Sequence, residues 1–484
     1  MVVAATEKSL YIDGEWRTAP GGKIFAVNNP ATGKKLADVA DGGVEQARQA
    51  IEAAHAAFPS WSATTADRRA VLLTKAAALM MERLDHLAAV LTSENGKPLA
   101  ESRGEVTIGA GFLQWNAEEG RRAYGEVVPS TAADRRVLTF RQPVGVVAAI
   151  TPWNFPFSMV TRKLGPALAA GCTAILRPAR ATPLVAFEIF KILDEVGFPR
   201  GVVNLLTGID SAGVGRELAT NPLVRKLTFT GSTEVGKSLL VLAAGTIKRV
   251  SLELGGHAPS IVFDDADLEK AATAVVASRF RNAGQTCICT NRVYVQNSIA
   301  AAFQAKVAAI AGAMKVGNGA DAGVQIGPLI DARAYAKVED HVADAVGQGA
   351  RILTGGRPAQ PGPGLSGHFY EPTVLSGATH KMKVMYEETF GPVLPIATFE
   401  TEDEAIRLAN DTPFGLAAYF YARDIGRVFR VSERLDYGII GANDPVPVGP
   451  HIPFGGYKES GLGRENGSDG IYHFLETKAV SIGI

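Results

Sequence analysis

The feature that most constrains this 484-residue chain is a repeated alternation of short apolar runs with segments of helical pattern, which begins near residue 137. Segments such as 184–196 separate four runs of β-forming residues, which lie at 144–150, 173–176, 202–205 and 226–230. Many of these runs end at glycines, where a tight turn must lead into a helix. The alternation predicts parallel βαβ units whose ligands bind at the strand ends.

A second stretch, 261–437, repeats the alternation and predicts a second α/β domain, with helices near 266–280, 298–314, 331–348 and 402–409. Apolar residues at three and four spacing in 44–58 and 67–92 predict amphipathic helices, so we expect the N-terminal hundred residues to be largely helical. Segments 136–141 and 478–482 are short alternating strands outside both sheet patterns. They could pair with each other or across subunits, which makes an oligomer plausible.

Composition excludes several classes of protein. Acidic and basic side chains number 49 each, and this balance argues against a nucleic-acid partner. The apolar runs are too short to cross a bilayer and the N-terminus lacks the pattern of a signal peptide, so we expect a cytoplasmic protein with no membrane partner. Three cysteines, Cys172, Cys287 and Cys289, fit a reducing compartment and leave each thiol available for chemistry.

A phosphate-binding motif offers one functional hypothesis. Residues 231–238 match the pattern G-x-x-x-x-G-K-S after a predicted strand and before a predicted helix. A later apolar strand ends at Asp264, as the magnesium site of an NTPase would require. A P-loop NTPase is therefore one alternative. The other is a glycine turn near any nucleotide phosphate, with Lys237 and Ser238 merely lying on the helix.

Three other residues suggest covalent catalysis. Cys287 lies in a small, polar, glycine-containing segment, as a reactive thiol requires, although an inert cysteine is the commoner case. Glu253 ends an alternating strand before two glycines; by period alone it is a solvent-facing residue, but a strand end could also hold a general base. Asn154 lies between two prolines, where its amide could donate to an oxyanion or cap a turn.

In combination, these residues resemble the aldehyde dehydrogenase family over nearly the whole chain. The resemblance rests on motifs in family order: Pro152-Trp-Asn-Phe-Pro156, Phe229-Thr-Gly-Ser-Thr233, Leu252-Glu-Leu-Gly-Gly256, Gly284-Gln-Thr-Cys287, Glu387-Glu-Thr-Phe-Gly-Pro392 and Pro453-Phe-Gly-Gly456. It implies an α/β fold with a Rossmann-type NAD(P)-binding domain (1–122 and 144–255), an α/β catalytic domain (256–464) and a small β oligomerisation element (123–143 and 465–484). A homodimer or homotetramer is expected from it.

The resemblance also implies a mechanism. Cys287 attacks the aldehyde, Asn154 and the Cys287 N–H hold the oxyanion, and Glu253 activates the water that hydrolyses the thioester. Lys163 and Glu476 match positions that help to move protons. Glu388 matches the residue that binds the nicotinamide ribose, and Phe390 the ring near the nicotinamide. The remaining cofactor positions are Thr151, Pro152, Trp153, Arg177, Ala179, Arg180, Gly231, Ser232, Gly236 and Leu254. No metal is expected.

One departure concerns the choice of cofactor. Many family members have Lys-Pro-x-Glu at the adenosine ribose, whereas this chain has Arg177-Pro-Ala-Arg180. Arginine in place of the acidic residue favours the 2′-phosphate of NADP, so we expect NADP to be preferred and NAD to retain some activity. The alternative is that Arg180 is a solvated side chain that tolerates either cofactor.

Within the family, several segments are most similar to succinate-semialdehyde dehydrogenases. In that branch the arginines matching Arg162 and Arg281 hold the substrate carboxylate, so a short anionic aldehyde is expected. The segment 444–451 departs from the pattern of this branch. His451, which lies in it, could donate a hydrogen bond to a sulfonate substrate such as 3-sulfolactaldehyde, or could be a loop histidine that binds no ligand. Glutarate and 2-oxoglutarate semialdehydes are further candidate substrates. Cys289 matches a second cysteine that can engage the nucleophile in a redox switch. A silent binding protein on the same fold is the third alternative.

Overall fold

The structure is a computed structural model, and it describes residues 9–484. The α-helices of this part of the chain are α1 (Val44–Ser62), α2 (Ala66–Glu82), α3 (Leu84–Asn95), α4 (Leu99–Arg122), α5 (Ser158–Ala170), α6 (Leu184–Glu195), α7 (Ser211–Thr220), α8 (Thr233–Ala244), α9 (Leu268–Phe280), α10 (Ala300–Gly312), α11 (Ala332–Gly347), α12 (Lys383–Tyr386), α13 (Glu402–Asn410), α14 (Ile425–Arg434) and α15 (Asp469–Tyr472). No helix of residues 9–484 has the length and apolar composition needed to cross a membrane.

The strands of the same residues form two large sheets and three small ones. They are β1 (Leu10–Ile12), β2 (Glu15–Arg17), β3 (Ile24–Asn28), β4 (Lys35–Ala40), β5 (Glu126–Val128), β6 (Arg135–Pro143), β7 (Val146–Ile150), β8 (Thr173–Arg177), β9 (Val203–Leu205), β10 (Val224–Thr230), β11 (Arg249–Glu253), β12 (Pro259–Val262), β13 (Arg292–Gln296), β14 (Arg351–Thr354), β15 (Thr373–Ser376), β16 (Val393–Phe399), β17 (Phe414–Gly415), β18 (Ala417–Tyr421), β19 (Ile439–Ala442), β20 (Tyr457–Lys458), β21 (Gly461–Leu462) and β22 (Leu475–Gly483).

The first large sheet has the order β2-β1-β9-β8-β7-β10-β11-β21, and its central strands β9 to β11 are parallel, as the alternation predicts. Helices cover both faces, because Val146 and Ala148 of β7 belong to one apolar cluster and Val147 and Ala149 to another. This double burial explains why the strand reads as a continuous apolar run. At the carboxyl edge, Phe229 is in register with Ile150, and Thr230 with Glu253.

The second large sheet has the order β14-β15-β16-β13-β12-β18-β19 and is parallel except for β14. Its strands lie between residues 259 and 442, and the helices α9, α10, α11 and α13 appear where the periodicity predicts them. The two α/β sheets are therefore observed. The domain boundaries proposed from the sequence stay a prediction.

The two alternating segments near residues 136 and 478 pair with each other within this chain. Strand β22 lies antiparallel to β6 along its whole length, with Lys478 opposite Phe140, and β5 completes a three-stranded sheet.

The expectation of a largely helical N-terminus is wrong for residues 10–40. That segment forms the hairpins β1–β2 and β3–β4, and the helices begin at Val44. Asp13 and Gly14 connect β1 to β2 with φ angles of 54° and 72°. An Asp-Gly pair with positive φ is a strong hairpin signal, but strands of three residues are too short to show a period.

Candidate active site

Cys287 lies in the wall that two cavities share. On one side is a cavity of about 220 Å³ lined by Pro152, Trp153, Asn154, Met159, Thr230, Gly231, Ser232, Leu254, Gly255, Glu388 and Phe390. On the other is a smaller cavity of about 30 Å³, lined by Ile108, Phe155, Ser158, Met159, Arg162, Arg281, Thr286, Ile288, Val448 and Phe454. A thiol in this position can meet one reactant from each side.

The loop before Cys287 has an unusual backbone. Asn282 and Ala283 adopt φ angles of 50° and 54°, and Gly284 follows at 76°. Left-handed angles strain residues that carry a Cβ, and such strain collects at functional sites. Gly284 also packs closely against a second loop, because a Cβ there would lie 2.3 Å from the carbonyl oxygen of Gly391. Glycine is therefore required for the two loops to approach.

The surroundings of Cys287 favour its protonated thiol. Burial raises its pKa to about 12, and the carboxylates of Glu388 and Glu253 act in the same direction, while Arg162 opposes them. Cys287 is partly exposed, whereas Cys172 and Cys289 are buried and line neither cavity. The thiol of Cys289 accepts a hydrogen bond from Arg279 at 3.2 Å. Cys287 is thus the cysteine that a substrate can reach.

Glu253 is not the solvent-facing residue that its period suggests. It is 2% exposed at the end of β11, and neither carboxylate oxygen has a hydrogen-bond partner within residues 9–484. Burial, followed by the charge of Glu465, raises its pKa well above the ordinary value. The period fails here because β11 lies inside a sheet covered on both faces. A buried carboxyl without a fixed partner is suited to exchanging protons with a substrate.

The buried Lys163, beside Glu253, pairs with Glu465, a residue that the sequence motifs do not predict to be in the site. Lys163 Nζ donates to Glu465 Oε1 at 2.7 Å and to Thr228 Oγ1 at 3.1 Å. Glu476, the predicted partner in proton movement, instead forms an exposed ion pair with Arg249 at the other end of β11 from Glu253. The prediction for Glu476 is therefore wrong, and Glu465 occupies the position that it was expected to fill.

Asn154 is held by its main chain as well as by its side chain. Its carbonyl accepts from Lys97 Nζ at 2.7 Å and from Asn282 Nδ2 at 3.0 Å. Its side-chain Nδ2 donates to the carbonyl of Gln285 at 3.1 Å, next to the Cys287 loop. Because Asn154 and Cys287 line the same cavity, the amide lies on the side where an oxyanion would form. Its role as oxyanion donor stays a prediction.

The larger cavity brings together most of the predicted cofactor residues. Glu388 Oε1 accepts from the N–H of Gly256 at 3.1 Å, and burial raises the pKa of this carboxyl to about 7. Phe390, at φ 53°, meets Trp153 edge to face with ring centroids 5.6 Å apart. Five predicted residues do not line this cavity: Thr151 is buried, Gly236 lies in α8, where it packs on Leu254, and Arg177, Ala179 and Arg180 lie outside it.

The two arginines proposed for the 2′-phosphate differ in their surroundings. Arg180 is exposed and, with Ala179 and Trp153, lines a further cavity of about 550 Å³. Arg177 is 5% exposed, and its Nη2 donates to the carbonyl of Gly208 and to Ser211 Oγ at 3.2 and 3.0 Å. The expectation of a second cation facing the cofactor is therefore not met, because the Arg177 guanidinium is used within the fold.

The smaller cavity carries both predicted anion-binding arginines. The Arg162 guanidinium lies between two rings, 4.2 Å from the centroid of Phe454 and 4.9 Å from that of Phe112. The Arg281 guanidinium lies 4.9 Å from the centroid of Phe155. Aromatic faces hold a planar guanidinium without consuming its hydrogen-bond donors.

His451 does not join this cavity. Its ring is exposed and lies beside Trp115 at a centroid distance of 6.2 Å, whereas Val448 of the same loop supplies the lining. The structure thus does not place His451 in the smaller cavity, and its contact with a substrate stays a prediction.

Residues 231–238, which match the pattern G-x-x-x-x-G-K-S, form the N-terminus of helix α8 but not an NTPase site. Ser232 caps α8, while Lys237 points outward and pairs with Glu459 at 2.8 Å. Asp264 follows β12 in the other large sheet and pairs with Arg427. Lys237 and Asp264, the two residues that an NTPase would need at the phosphates and the magnesium ion, do not line the cavities around Cys287, so the NTPase hypothesis loses its support.

Comparisons with known proteins agree with this arrangement. The model of the aldehyde dehydrogenase family matches residues 16–480. A succinate-semialdehyde dehydrogenase [NADP(+)] of Escherichia coli is 52% identical (98% of this chain, 97% of the relative), a 3-sulfolactaldehyde dehydrogenase of Pseudomonas putida 51% (99% and 97%), and a glutarate-semialdehyde dehydrogenase of Pseudomonas aeruginosa 51% (98% and 97%). A crystal structure of an E. coli NADP-dependent enzyme superposes with a TM-score of 0.96 at 52% identity, covering 99% of this chain and 98% of that one.

Proposed function

The chain belongs to the aldehyde dehydrogenase family, and from that premise we propose that it oxidises a short aldehyde with a distal anionic group to the carboxylic acid. NADP is the favoured hydride acceptor and NAD the second one. The observation that carries the proposal is the pair of guanidinium groups, Arg162 and Arg281, in a small and otherwise mainly apolar cavity that opens on Cys287.

The residues present fit a dinucleotide. Ser232 at the start of α8 lines the larger cavity, and the free N–H groups of a helix start bind phosphate. Glu388 offers a carboxylate to ribose hydroxyl groups, and Arg180 offers a cation at the far cavity. Glu388 can thus accept hydrogen bonds at one end of the dinucleotide, and Arg180 can donate them at the other. Bound NAD(P) supplies the hydride acceptor of the reaction.

The chain's own residues perform the remaining steps. Cys287 Sγ gives its proton to solvent water and forms a bond to the carbonyl carbon, and the new oxyanion accepts from Asn154 Nδ2 and the N–H of Cys287. After loss of hydride, the acyl group remains on Cys287 as a thioester. Glu253 then takes a proton from water, which attacks the thioester and releases the acid and the thiol. Lys163 and Glu465 lie beside Glu253, where they accept or return that proton.

A panel of aldehydes tests the substrate class. We expect succinate, glutarate and 2-oxoglutarate semialdehydes and 3-sulfolactaldehyde to exceed butanal in kcat/KM, and the ranking within the panel identifies the anion. Replacing Arg162 or Arg281 with Ala should lower kcat/KM for the anionic aldehydes about 10- to 100-fold, as the loss of a charge-assisted hydrogen bond predicts. Activity on butanal should change far less. Equal losses on both substrate types would contradict the proposal.

The matched control for those variants also tests the cofactor. Arg180→Ala makes the same chemical change at the cofactor side, so the preference among aldehydes should stay as in the native protein. Arg180→Glu should shift the ratio of kcat/KM for NADP over NAD toward NAD by about tenfold or more, because a carboxylate repels the 2′-phosphate. A native protein that strongly prefers NAD would refute the choice of NADP.

We further propose that the protein is a homodimer or homotetramer. Strand β5 is the edge of the three-stranded sheet and exposes Val127 by 78%, while Phe140 of β6 is 46% exposed. An unprotected apolar edge of this kind is suited to pairing with another subunit. Light scattering coupled to size exclusion would decide between monomer, dimer and tetramer.

A further inference from the structure

Arg279, near the end of α9, is a fully buried arginine without an acidic partner. Its exposed fraction is 0%, and no carboxylate within residues 9–484 forms an ion pair with it. Burying an unpaired charge is expensive, so such a residue needs several hydrogen-bond acceptors around it. The acceptors that surround Arg279 belong to two loops of the active site.

The first of these loops carries the nucleophile. Arg279 Nη1 donates to the thiol of Cys289 at 3.2 Å, to the carbonyl of Thr290 at 3.2 Å and to Asn291 Oδ1 at 2.5 Å. These residues lie two to four positions after Cys287 in the chain. The second loop carries the cofactor residues, and Arg279 Nη2 donates there to the carbonyl of Gly391, directly after Phe390. One guanidinium group thus contacts both loops.

Both loops contain strained backbone near these contacts. Asn282 and Ala283 on the nucleophile loop, and Phe390 on the cofactor loop, have positive φ angles. Strained residues persist only where the surrounding structure holds them. The loops also touch each other directly, since Gly284 packs on the carbonyl of Gly391. The position of the thiol relative to the cofactor wall therefore depends on this junction.

We propose that Arg279 is a positioning residue that fixes the distance between Cys287 and the wall formed by Glu388 and Phe390. The inference rests on the proposed function, because only a reaction that uses both walls is sensitive to that distance. The planar fork of arginine points donors in two directions at once, whereas the ammonium of lysine is a single point. Lysine at this position keeps the charge but cannot contact both loops with the same geometry.

The test compares two reactions of Cys287 in Arg279→Lys. Hydrolysis of an activated ester such as 4-nitrophenyl acetate, without cofactor, requires the nucleophile loop alone. Single-turnover formation of NADPH from succinate semialdehyde requires both loops. We expect the ratio of the NADPH rate to the ester rate to fall about tenfold or more, because small misplacements of reacting groups slow a reaction strongly.

The matched control is Arg292→Lys. Arg292 is equally buried and is held by carbonyl and hydroxyl oxygens, among them those of His257 and Ala409. Although Arg292 follows Asn291 in the chain, its side chain forms hydrogen bonds to neither loop. The same substitution there should leave the ratio within about twofold of the native value, even if it lowers the melting temperature as much. A ratio that changes equally in both variants would show that Arg279 merely stabilises the fold, and would overturn the proposal.

A second variant keeps the test decisive if Arg279→Lys does not fold. Gly284→Ala leaves Arg279 intact but places a methyl group against the carbonyl of Gly391, which separates the same two loops. The ratio of the NADPH rate to the ester rate should again fall. An unchanged ratio in whichever of the two variants folds would overturn the proposal. Failure of the proposed function looks different, since the native protein would then hydrolyse the ester without oxidising any aldehyde.

Discussion

The affinity for NAD should depend on pH because of a single carboxyl group. Glu388 lines the cofactor cavity, and burial, as the largest influence, raises its pKa to about 7. The N–H of Gly256 and the charges of Lys337 and Arg279 oppose this rise without cancelling it. Ribose hydroxyl groups donate hydrogen bonds, and the ionised carboxylate is the stronger acceptor. Binding therefore favours the deprotonated form of Glu388.

The size of the effect follows from that pKa. With a pKa of about 7, roughly a tenth of the carboxyl groups are ionised at pH 6 and roughly nine tenths at pH 8. Because the apparent Kd is the intrinsic Kd divided by the competent fraction, the Kd for NAD should fall about tenfold between pH 6 and pH 8. At pH 6, binding should also release roughly nine tenths of a proton per NAD bound.

Calorimetric titration with NAD at several pH values, in two buffers of different ionisation enthalpy, measures both quantities. NAD is the better probe, because a phosphate monoester such as the 2′-phosphate of NADP itself titrates near pH 6. Glu388→Gln should bind with a Kd that no longer varies with pH, whereas Glu387→Gln, a carboxylate on the same loop outside the cavity, should keep the variation. A Kd that is flat in the native protein, or equally steep in Glu388→Gln, would refute this reasoning.

Three further predictions concern the catalytic groups. Cys287→Ser should reduce aldehyde-dependent NADPH formation by about 10³-fold or more, since serine is a far weaker nucleophile here, while calorimetry should still detect NAD binding. Retained turnover would show that another residue is the nucleophile. Glu253→Gln should slow steady-state turnover about 10²- to 10⁴-fold and accumulate an acyl-enzyme visible by mass spectrometry, and its absence would argue against a role in deacylation. Glu465→Gln should lower the free energy of unfolding by about 3–5 kcal/mol because it strands buried Lys163, whereas Glu476→Gln at the surface should cost less than about 1 kcal/mol in denaturant titrations; the reverse order would contradict the assignment.

The repeated sheet pattern could be predicted because it depends on local order. In the α/β region, most buried strands are followed by a helix, β11 and β19 being exceptions, so the alternation survives in the sequence. The strands of residues 10–40 could not be recognised in this way. These strands of three to six residues gain stability by pairing with one another and with the main sheet, as Tyr11 does with Leu205. Local pattern carries little information about such pairing.

The candidate site was predictable where a motif fixes the backbone, and less so where distant residues meet. Cys287, Asn154 and Glu388 were found from their local segments and line the cavity together. Lys163 and Glu465 are 302 positions apart, so spacing could not show that this glutamate, and not Glu476, reaches the lysine. Similarly, Arg177 donates hydrogen bonds to Gly208 and Ser211, which lie on a loop that only the folded chain brings near it.

The two cavities that meet at Cys287 have a consequence for how such a protein can evolve. Within residues 9–484, their linings share Met159 and Cys287 and otherwise use different side chains. A mutation on the aldehyde side can therefore alter the choice of substrate without disturbing the cofactor. The product of a duplicated gene could gain activity on a new aldehyde through mutations in the smaller cavity alone, while its cofactor cavity stays unchanged.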